Sequence, residues 1–273
     1  MHNKYYLLFE KSLMWWRYYF ISFAILLALS LILSNFIPLN FYLECGEISL
    51  IFFVWYLLSP LIMIFSFRLK KSNDERLNSL VSYTSSIFNM KKPLVYVTKT
   101  DYSNAFAFGN FFYKAIGYTS GLLSSLQDNE IIGVTAHELA HLKNHDMEIQ
   151  VLGLILYNIL YLYLFNINFI LGLVTFALAY PLFIFIHRML EKRADLTAVK
   201  NNRWLTIYLE NALIKIGYLG RSIPSYLLRD IPDFQLYFIK QQLIMNNSRS
   251  IFRTHPSLSE RLRYLSKYEE WSS

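Results

Sequence analysis

The sequence predicts a mostly α-helical integral membrane protein, with four transmembrane helices and a cytosolic α+β part that contains a small β-sheet. Three observations lead to this expectation. Hydrophobic residues make up 55% of the 273 residues and charged residues only 16%, whereas soluble domains carry about 25% charged residues. Long apolar runs without any charge recur along the chain. The more polar stretches between these runs combine helical and strand patterns.

The net charge of +7 and the sequence pI of about 9.3 raise the possibility of nucleic-acid binding. The basic residues are not gathered in one patch, however, and several stand at the edges of apolar runs, as expected beside a membrane. We therefore expect the lipid bilayer as a partner and no nucleic acid. The single cysteine, Cys45, rules out an intramolecular disulfide and fits a reduced compartment or a largely intramembrane chain.

Residues 1–71 are predicted to form a transmembrane hairpin of two helices. Tyr18 to Leu43 and Ile48 to Phe67 contain no charged residue, and each is long enough to cross a core of about 30 Å. The linker between them is acidic, whereas both outer flanks are basic. The positive-inside rule therefore places both flanks in the cytosol. No small-residue cleavage site follows the first run, so we do not expect a cleaved signal peptide.

Residues 72–148 are predicted to be the first cytosolic part. A helical pattern runs from Arg76 to Met90, and Pro93 to Thr98 is rich in β-branched and aromatic residues, as strands are. Two further short strands are expected at Asn104 to Asn110 and at Ala115 to Thr119. A helix should then begin near Gln127, where Glu130 is placed to reach back to the cap.

Residues 149–186 are predicted to form a second transmembrane hairpin. Ile149 to Ile186 contains no Asp, Glu, Lys or Arg, is too long for one straight span and fits two short ones. Asn166 to Asn168 is the natural turn between them. Two spans return the chain to the side from which it entered, so residues 187–273 should form a second cytosolic part. Its helices are expected at Trp204 to Leu219 and after a capping box that begins at Ser257.

Residues 136–146 carry the pattern that predicts chemistry. His137, Glu138 and His141 form His-Glu-x-x-His. Residues four apart lie on one face of a helix, so both imidazoles can point at one Zn²⁺ about 2 Å away. Glu138 lies about 100° around the helix, where it can reach a water bound to the metal and take its proton. The pattern therefore predicts one hydrolytic zinc site per chain.

A third ligand is expected because a catalytic zinc keeps three protein ligands and one open position, commonly two His and one Glu. Glu191 and Asp195 form Glu-x-x-x-Asp beyond the second hairpin. We assign Glu191 to the metal and expect Asp195, one turn later, to accept the ring N–H of a ligand histidine. The alternative is a solvated charge cluster, since Arg188, Lys192 and Arg193 are neighbours.

The chain resembles the HtpX family of membrane zinc metallopeptidases, which is related to the CAAX prenyl proteases and to Oma-type mitochondrial proteases. The resemblance covers about residues 15 to 265 and rests on an ordered set of blocks. They are Asn104–Ala107, Ser120–Glu130, Ala136–His141, Asn144–Asp146, Glu191–Asp195 and Thr254–Ser257.

The resemblance implies a zincin-like peptidase fold for the cytosolic part and further site residues. Propensity alone leaves residues 104–107 as an ordinary sheet strand, whereas the resemblance favours an edge strand that pairs with an extended substrate. The four residues in that strand are Asn104, Ala105, Phe106 and Ala107. His255 is expected near the active site, where it would bond the substrate or the oxyanion, although a surface histidine before a helix is the alternative. Asn144 is expected beside the ligand histidines.

The function expected from the sequence is zinc-dependent endoproteolysis of membrane or misfolded proteins at the cytosolic face of a cell membrane, as part of protein quality control. Both termini should be cytosolic. A prenyl-protein peptidase would use the same chemistry, but that branch carries more membrane spans than this chain has room for. A metal transporter would place such histidines within a charge-free span, whereas Lys143, Asp146 and Glu148 adjoin this pattern. A non-enzymatic zinc-binding scaffold is the last alternative, and Glu138 argues against it.

Overall fold

The computed structural model describes residues 2–36, 40–200, 202–245 and 256–270. A short 3-10 helix, Leu219–Arg221, follows the eighth α-helix. The elements follow one another along the chain as α1 (His2–Leu33), α2 (Phe41–Ser66), β1 (Lys70–Lys71), α3 (Glu75–Ile87), β2 (Leu94–Thr98), β3 (Ala105–Gly109), β4 (Lys114–Thr119), α4 (Ser120–Ser125), α5 (Asp128–Lys143), α6 (Asp146–Ile167), α7 (Phe169–Lys200), α8 (Trp204–Gly217), α9 (Ser225–Leu228), α10 (Asp233–Met245) and α11 (Leu258–Glu270).

Four of the described helices are long and apolar enough to cross a membrane: α1 from Leu13 onward, α2, α6 and α7. They pair as the sequence predicts, with α1 packed on α2 and α6 packed on α7. Asn168 alone separates α6 from α7, which confirms the predicted turn. The two hairpins form one bundle, since α2 packs on α6 and the Tyr56 hydroxyl donates to Glu148 Oε1 at 2.6 Å.

The helices of the second hairpin do not end where the apolar run ends. α6 begins at Asp146 and α7 continues to Lys200, so each helix runs unbroken through the predicted part boundaries at 148/149 and 186/187. The reason is local: nothing in the residues just before Ile149 or just after Ile186 interrupts a helix. The helix α7, which forms the last candidate membrane span, therefore also carries Glu191 and Asp195.

The predicted strands are confirmed, and they form one four-stranded sheet in the order β1-β2-β4-β3. β2 and β4 are parallel, whereas β3 and β4 form an antiparallel hairpin in which Ala107 lies opposite Ile116. β1 was not predicted, because the sequence reads Lys70 and Lys71 only as the basic flank of a membrane span. β3 lies at one edge of this sheet, so one side of its backbone faces away from the other strands.

The core of the polar part lies between the sheet, α3, α5 and α8. α5 is its centre, since nearly all its side chains from Glu130 to Leu142 are buried. Gly133 lets α8 approach closely, because a Cβ there would lie 2.6 Å from the backbone N of Leu209. The start of α5 is held by polar contacts: Gln127 N donates to Glu130 Oε2 at 2.8 Å, and the buried Lys215 Nζ lies 2.7 Å from Glu130 Oε1. The predicted start of this helix is thus confirmed.

Candidate metal centre

Two helices bring three possible metal ligands together. His137 and His141 lie one turn apart on α5, with their Nε2 atoms 3.2 Å from each other. Glu191 on α7 faces both of them. Its Oε2 lies 3.7 Å from His137 Nε2, and its Oε1 lies 3.5 Å from His141 Nε2. All three ligand atoms fall within 4.8 Å of one another, and the His137 and Glu191 side chains are buried.

The three groups fit one zinc ion. Ligands about 2.0–2.1 Å from a tetrahedral zinc stand about 3.3 Å apart, close to the three separations observed. Two imidazoles and one carboxylate are also a donor set that zinc accepts in catalytic sites, whereas calcium and magnesium prefer oxygen ligands alone. The arrangement could therefore hold a zinc ion with one coordination position left for water or substrate.

Each histidine has a carboxylate behind it. Asp195 Oδ1 lies 2.8 Å from His137 Nδ1, and Asp146 Oδ2 lies 2.6 Å from His141 Nδ1. A carboxylate at Nδ1 fixes the ring orientation and the tautomer, so that Nε2 presents its lone pair to a metal. Asp195 occupies the position that the sequence assigns to it, and Asp146 plays the matching part for the second histidine.

The carboxylate of Asp195 is completely buried and also accepts hydrogen bonds from α11. Arg261 on α11 donates to it from Nε at 2.8 Å and from Nη2 at 2.6 Å, and the Tyr264 hydroxyl donates to it as well. Burial and the Asp195 charge both raise the pKa of Tyr264, so the phenol keeps the proton that it donates. On the other side, Arg193 pairs with Asp146.

The pocket favours positive charge. Burial alone would lower the pKa of His141, but the Asp146 and Glu191 carboxylates outweigh it and raise that pKa to about 10. Without a metal, a proton on His141 therefore neutralises part of the carboxylate charge. A divalent cation would take over that task, and binding it would expel the proton.

Glu138 is hydrogen-bonded to the edge strand of the sheet. Its buried carboxylate accepts a hydrogen bond from Ala107 N at 2.6 Å. Thr119 N donates to Asn104 O, and antiparallel strands alternate their hydrogen-bonding sides, so Ala105 and Ala107 direct their N–H and C=O groups away from β4. The outward side of β3 therefore offers backbone groups next to Glu138.

Three further predicted site residues, Asn104, Phe106 and Asn144, contact other parts of the protein. The backbone N–H of Asn104 donates to Thr119 Oγ1 at 2.9 Å. The Phe106 ring packs against Phe67 with centroids 5.1 Å apart, so this side chain is turned to the protein rather than to the centre. Asn144 donates to Thr197 Oγ1 at 3.1 Å, and the polar group beside His141 belongs to Asp146 instead. The difference arises at His145, whose left-handed backbone (φ +56°) turns the chain so that Asp146 points back at α5.

Three side chains around the centre were not predicted, namely Arg261, Tyr264 and Asp146. Arg261 and Tyr264 lie 66 and 69 residues after Asp195, so no local spacing reveals them. Asp146 did carry a signal, since it closes the block Asn144–Asp146. His255 lies outside the described residues.

Comparisons with known proteins identify a peptidase family. The family model of Peptidase family M48 matches residues 71–269. "Protease HtpX homolog" of Moorella thermoacetica is 29% identical over 219 residues, covering 71% of this chain and 72% of that protein. "Protease HtpX homolog 2" of Methanosarcina acetivorans is 28% identical over 220 residues, covering 73% of this chain and 74% of that protein.

The fold is also similar to a solved one. The crystal structure of S. mikatae Ste24p superposes with a TM-score of 0.62 at 22% identity, and the match covers 90% of this chain. It covers 63% of the Ste24p chain, so this protein spans less than two thirds of that larger relative. At this identity the likeness shows the fold alone: a mostly helical membrane protein with a small mixed sheet.

Proposed function

The chain belongs to peptidase family M48, and on that premise we propose that it is a zinc-dependent membrane endopeptidase whose ligands are His137, His141 and Glu191. The observation that carries the proposal is the convergence of these three groups at tetrahedral spacing beside the buried carboxylate of Glu138. The carboxylates behind the histidines support it further, because ligand imidazoles in zinc sites nearly always have such partners.

A bound zinc would polarise the scissile carbonyl and make a water molecule acidic. Residues of the protein would carry out the proton transfers and orient the ligands. Glu138 takes the proton of the attacking water and passes it to the leaving amine. Because its carboxylate accepts from Ala107 N, it lies next to the backbone that would hold the substrate. Asp195 and Asp146 keep the two imidazoles in the tautomer that leaves Nε2 unprotonated.

The outward side of β3 is the proposed substrate-binding strand. A substrate segment in extended conformation would pair with the N–H and C=O of Ala105 and with the C=O of Ala107, as in other cases where a peptide adds a strand to a sheet edge. The Ala107 N–H would have to exchange Glu138 for the substrate before it could take part. Asn104 and Phe106 support this strand from its inner side, through Thr119 and Phe67. His255 is proposed to bond the substrate or the oxyanion, on the strength of the Thr254–Ser257 block alone.

The proposed location of the catalytic parts is the cytosolic face, with both termini on that side. The basic flanks of the first hairpin and the acidic linker between its helices support this orientation. Residues 72–148 and 187–273 would then complete one site from both sides of the second hairpin. The proposed substrates are polypeptides, membrane proteins among them, and the proposed role is quality control.

The test is Glu138→Gln, compared with wild type for casein cleavage and for zinc content. The amide keeps the shape of the side chain but cannot accept the proton, so turnover should fall by about 10²- to 10⁴-fold. Zinc content should stay unchanged, since Glu138 is not a proposed ligand. Glu75→Gln, on the exposed start of α3, is the matched control and should cleave like wild type.

Wild-type cleavage by Glu138→Gln with full zinc content would remove Glu138 as the base. A wild-type protein that binds zinc but cuts nothing would favour a scaffold, and zinc flux across vesicles without cleavage would favour a transporter.

A further inference from the structure

The turn between β3 and β4 carries two adjacent aromatic rings on its outside. Phe111 is 63% exposed and Phe112 is 88% exposed. Single exposed apolar residues are common on protein surfaces, but two neighbouring phenylalanines at the tip of a short hairpin form a patch that water solvates poorly. The patch needs an apolar partner.

The exposure of these rings is built into the turn. Asn110 Oδ1 accepts hydrogen bonds from the N–H groups of Phe112 and Tyr113, both at 3.0 Å. Gly109 has a φ of +147°, and a Cβ there would lie 1.8 Å from Tyr113 O, so only glycine fits. Asn110 is buried, whereas the two phenylalanines beyond it point outward. The turn thus presents both rings in a defined direction.

The turn is fastened to two membrane-spanning helices. Asn110 Nδ2 donates to Leu57 O on α2 at 3.1 Å. The Phe111 ring lies 6.2 Å from the Tyr56 ring on α2 and 5.8 Å from the His145 ring at the start of α6, measured between centroids. The hairpin tip therefore lies where α2 and α6 meet.

From the charge pattern we place one boundary of the membrane at this meeting point. Ile149 to Ile186 contains no charged residue, so Glu148 and Arg188 are the first charges on either side of the second hairpin. From Glu148 to the end of α6 at Ile167 the helix rises about 28 Å, close to the hydrocarbon thickness of about 30 Å. Tyr56, bonded to Glu148, lies at the same level. Beyond it α2 continues to Ser66, and this last part buries Ile62 and Met63 within the protein.

We propose that Phe111 and Phe112 form a lipid anchor, meaning that the hairpin tip inserts both rings into the boundary between headgroups and acyl chains. Aromatic rings are favoured at this depth in membrane proteins. The occupant is the bilayer rather than a protein partner because the tip is continuous with the lipid-facing surface of α2 and α6. The anchor fixes the level of β3 relative to the membrane.

The lipid anchor has a consequence for substrates, and this step rests on the proposed function. β3 runs from the neighbourhood of Glu138 at Ala107 to the anchored tip at Gly109 and Asn110. Its outward side therefore leads from the bilayer boundary to the metal centre. An extended segment that emerges from the bilayer could pair along this edge without first diffusing into water, whereas a soluble polypeptide gains nothing from the anchor.

The anchor is tested directly by spin labelling, which does not depend on activity. Cys45 is the only cysteine, so Phe112→Cys in a Cys45→Ser background accepts one label. In phosphatidylcholine–phosphatidylglycerol vesicles, the label at 112 should be more accessible to oxygen than to a water-soluble nickel chelate. Leu156→Cys on the exposed side of α6 is the lipid control, and Tyr83→Cys on the exposed side of α3 is the water control.

If the label at residue 112 is as accessible to oxygen and to the nickel chelate as the label at residue 83, the lipid anchor is wrong. Shielding from both oxygen and nickel would also overturn it, because the tip would then be covered by protein, such as a second copy of this chain.

The consequence is tested with Phe111→Ser/Phe112→Ser in the same vesicles. Cleavage of a bilayer-tethered peptide should fall by roughly 10- to 100-fold, the range in which a misplaced substrate lowers a rate, while casein cleavage should stay near wild type. Equal loss on both substrates, or on neither, would overturn the consequence. If the wild type cleaves neither substrate, the proposed function fails while the spin-label result still stands.

Discussion

The metal centre has two sides that are built in different ways. On the ligand side, formed by α7 and α11, the carboxylate of Asp195 is completely buried and receives hydrogen bonds from Arg261 and Tyr264 while it lies against His137. On the strand side, formed by β3, Ala105 and Ala107 turn their backbone groups outward. One side has its polar groups paired within the protein. The other, apart from the Ala107 N–H that bonds Glu138, offers backbone groups to another chain.

The difference shows that different parts of the protein provide fixed metal-ligand geometry and access for the substrate. Metal ligands need fixed geometry, which a buried and fully hydrogen-bonded network supplies. A substrate strand needs accessible donors and acceptors, which a sheet edge supplies because it has no neighbouring strand. Changes on the ligand side should therefore act on the metal, and changes on the strand side should act on the substrate.

The largest effect is expected from Glu191→Ala, which removes a proposed ligand. Zinc content should drop below one per chain, and casein cleavage should fall to background, beyond the roughly 10- to 100-fold loss that an outer partner costs. Metal analysis after dialysis measures the first, and Glu260→Ala on the exposed side of α11 is the control. Full zinc content in Glu191→Ala would assign the third ligand elsewhere, with Asp195 as the first candidate.

A smaller effect is expected from Asp195→Asn, which keeps the shape of the ligand side but weakens its hold on His137. Zinc affinity should fall by about 10- to 100-fold, while saturating zinc should restore most of the cleavage. Competition with a fluorescent chelator gives the affinity. Asp146→Asn should behave alike through His141, and an unchanged affinity in both variants would show that these carboxylates do not tune the ligands.

The smallest effect is expected on the strand side, from Ala107→Pro and Ala105→Pro. Proline removes an outward N–H without breaking the ladder to β4, because neither N–H points at that strand. One lost backbone hydrogen bond should lower kcat/KM by about 3- to 10-fold, with zinc content unchanged.

The two proline variants also distinguish the loss of substrate pairing from the loss of the hydrogen bond between Ala107 N and Glu138. Only Ala107 N bonds Glu138, so Ala107→Pro should alter kcat as well as KM, whereas Ala105→Pro should act on KM. A loss of zinc in either variant would contradict the division between the two sides.

Much of this arrangement is readable from the sequence because the signals are local. His-Glu-x-x-His, the charge-free run and the strand patterns each lie within one element, and the structure contains the predicted helix and strands. Arg261 could not be predicted, because its partner lies 66 residues away and buried pairing leaves no periodic pattern. Asn144 was expected beside the ligand histidines, but Asp146 lies there, because the backbone at His145 is left-handed and no local pattern reveals that turn.

The unbroken course of α7 has a consequence for biosynthesis. The two histidines leave the ribosome before the α6–α7 hairpin, and Glu191 leaves after it, on the same helix as the last span. A nascent chain that has not yet reached residue 191 therefore holds only two of the three proposed ligands. The proposed metal centre can therefore be completed only after the whole α6–α7 hairpin has been synthesised, which ties the last ligand to the last candidate span.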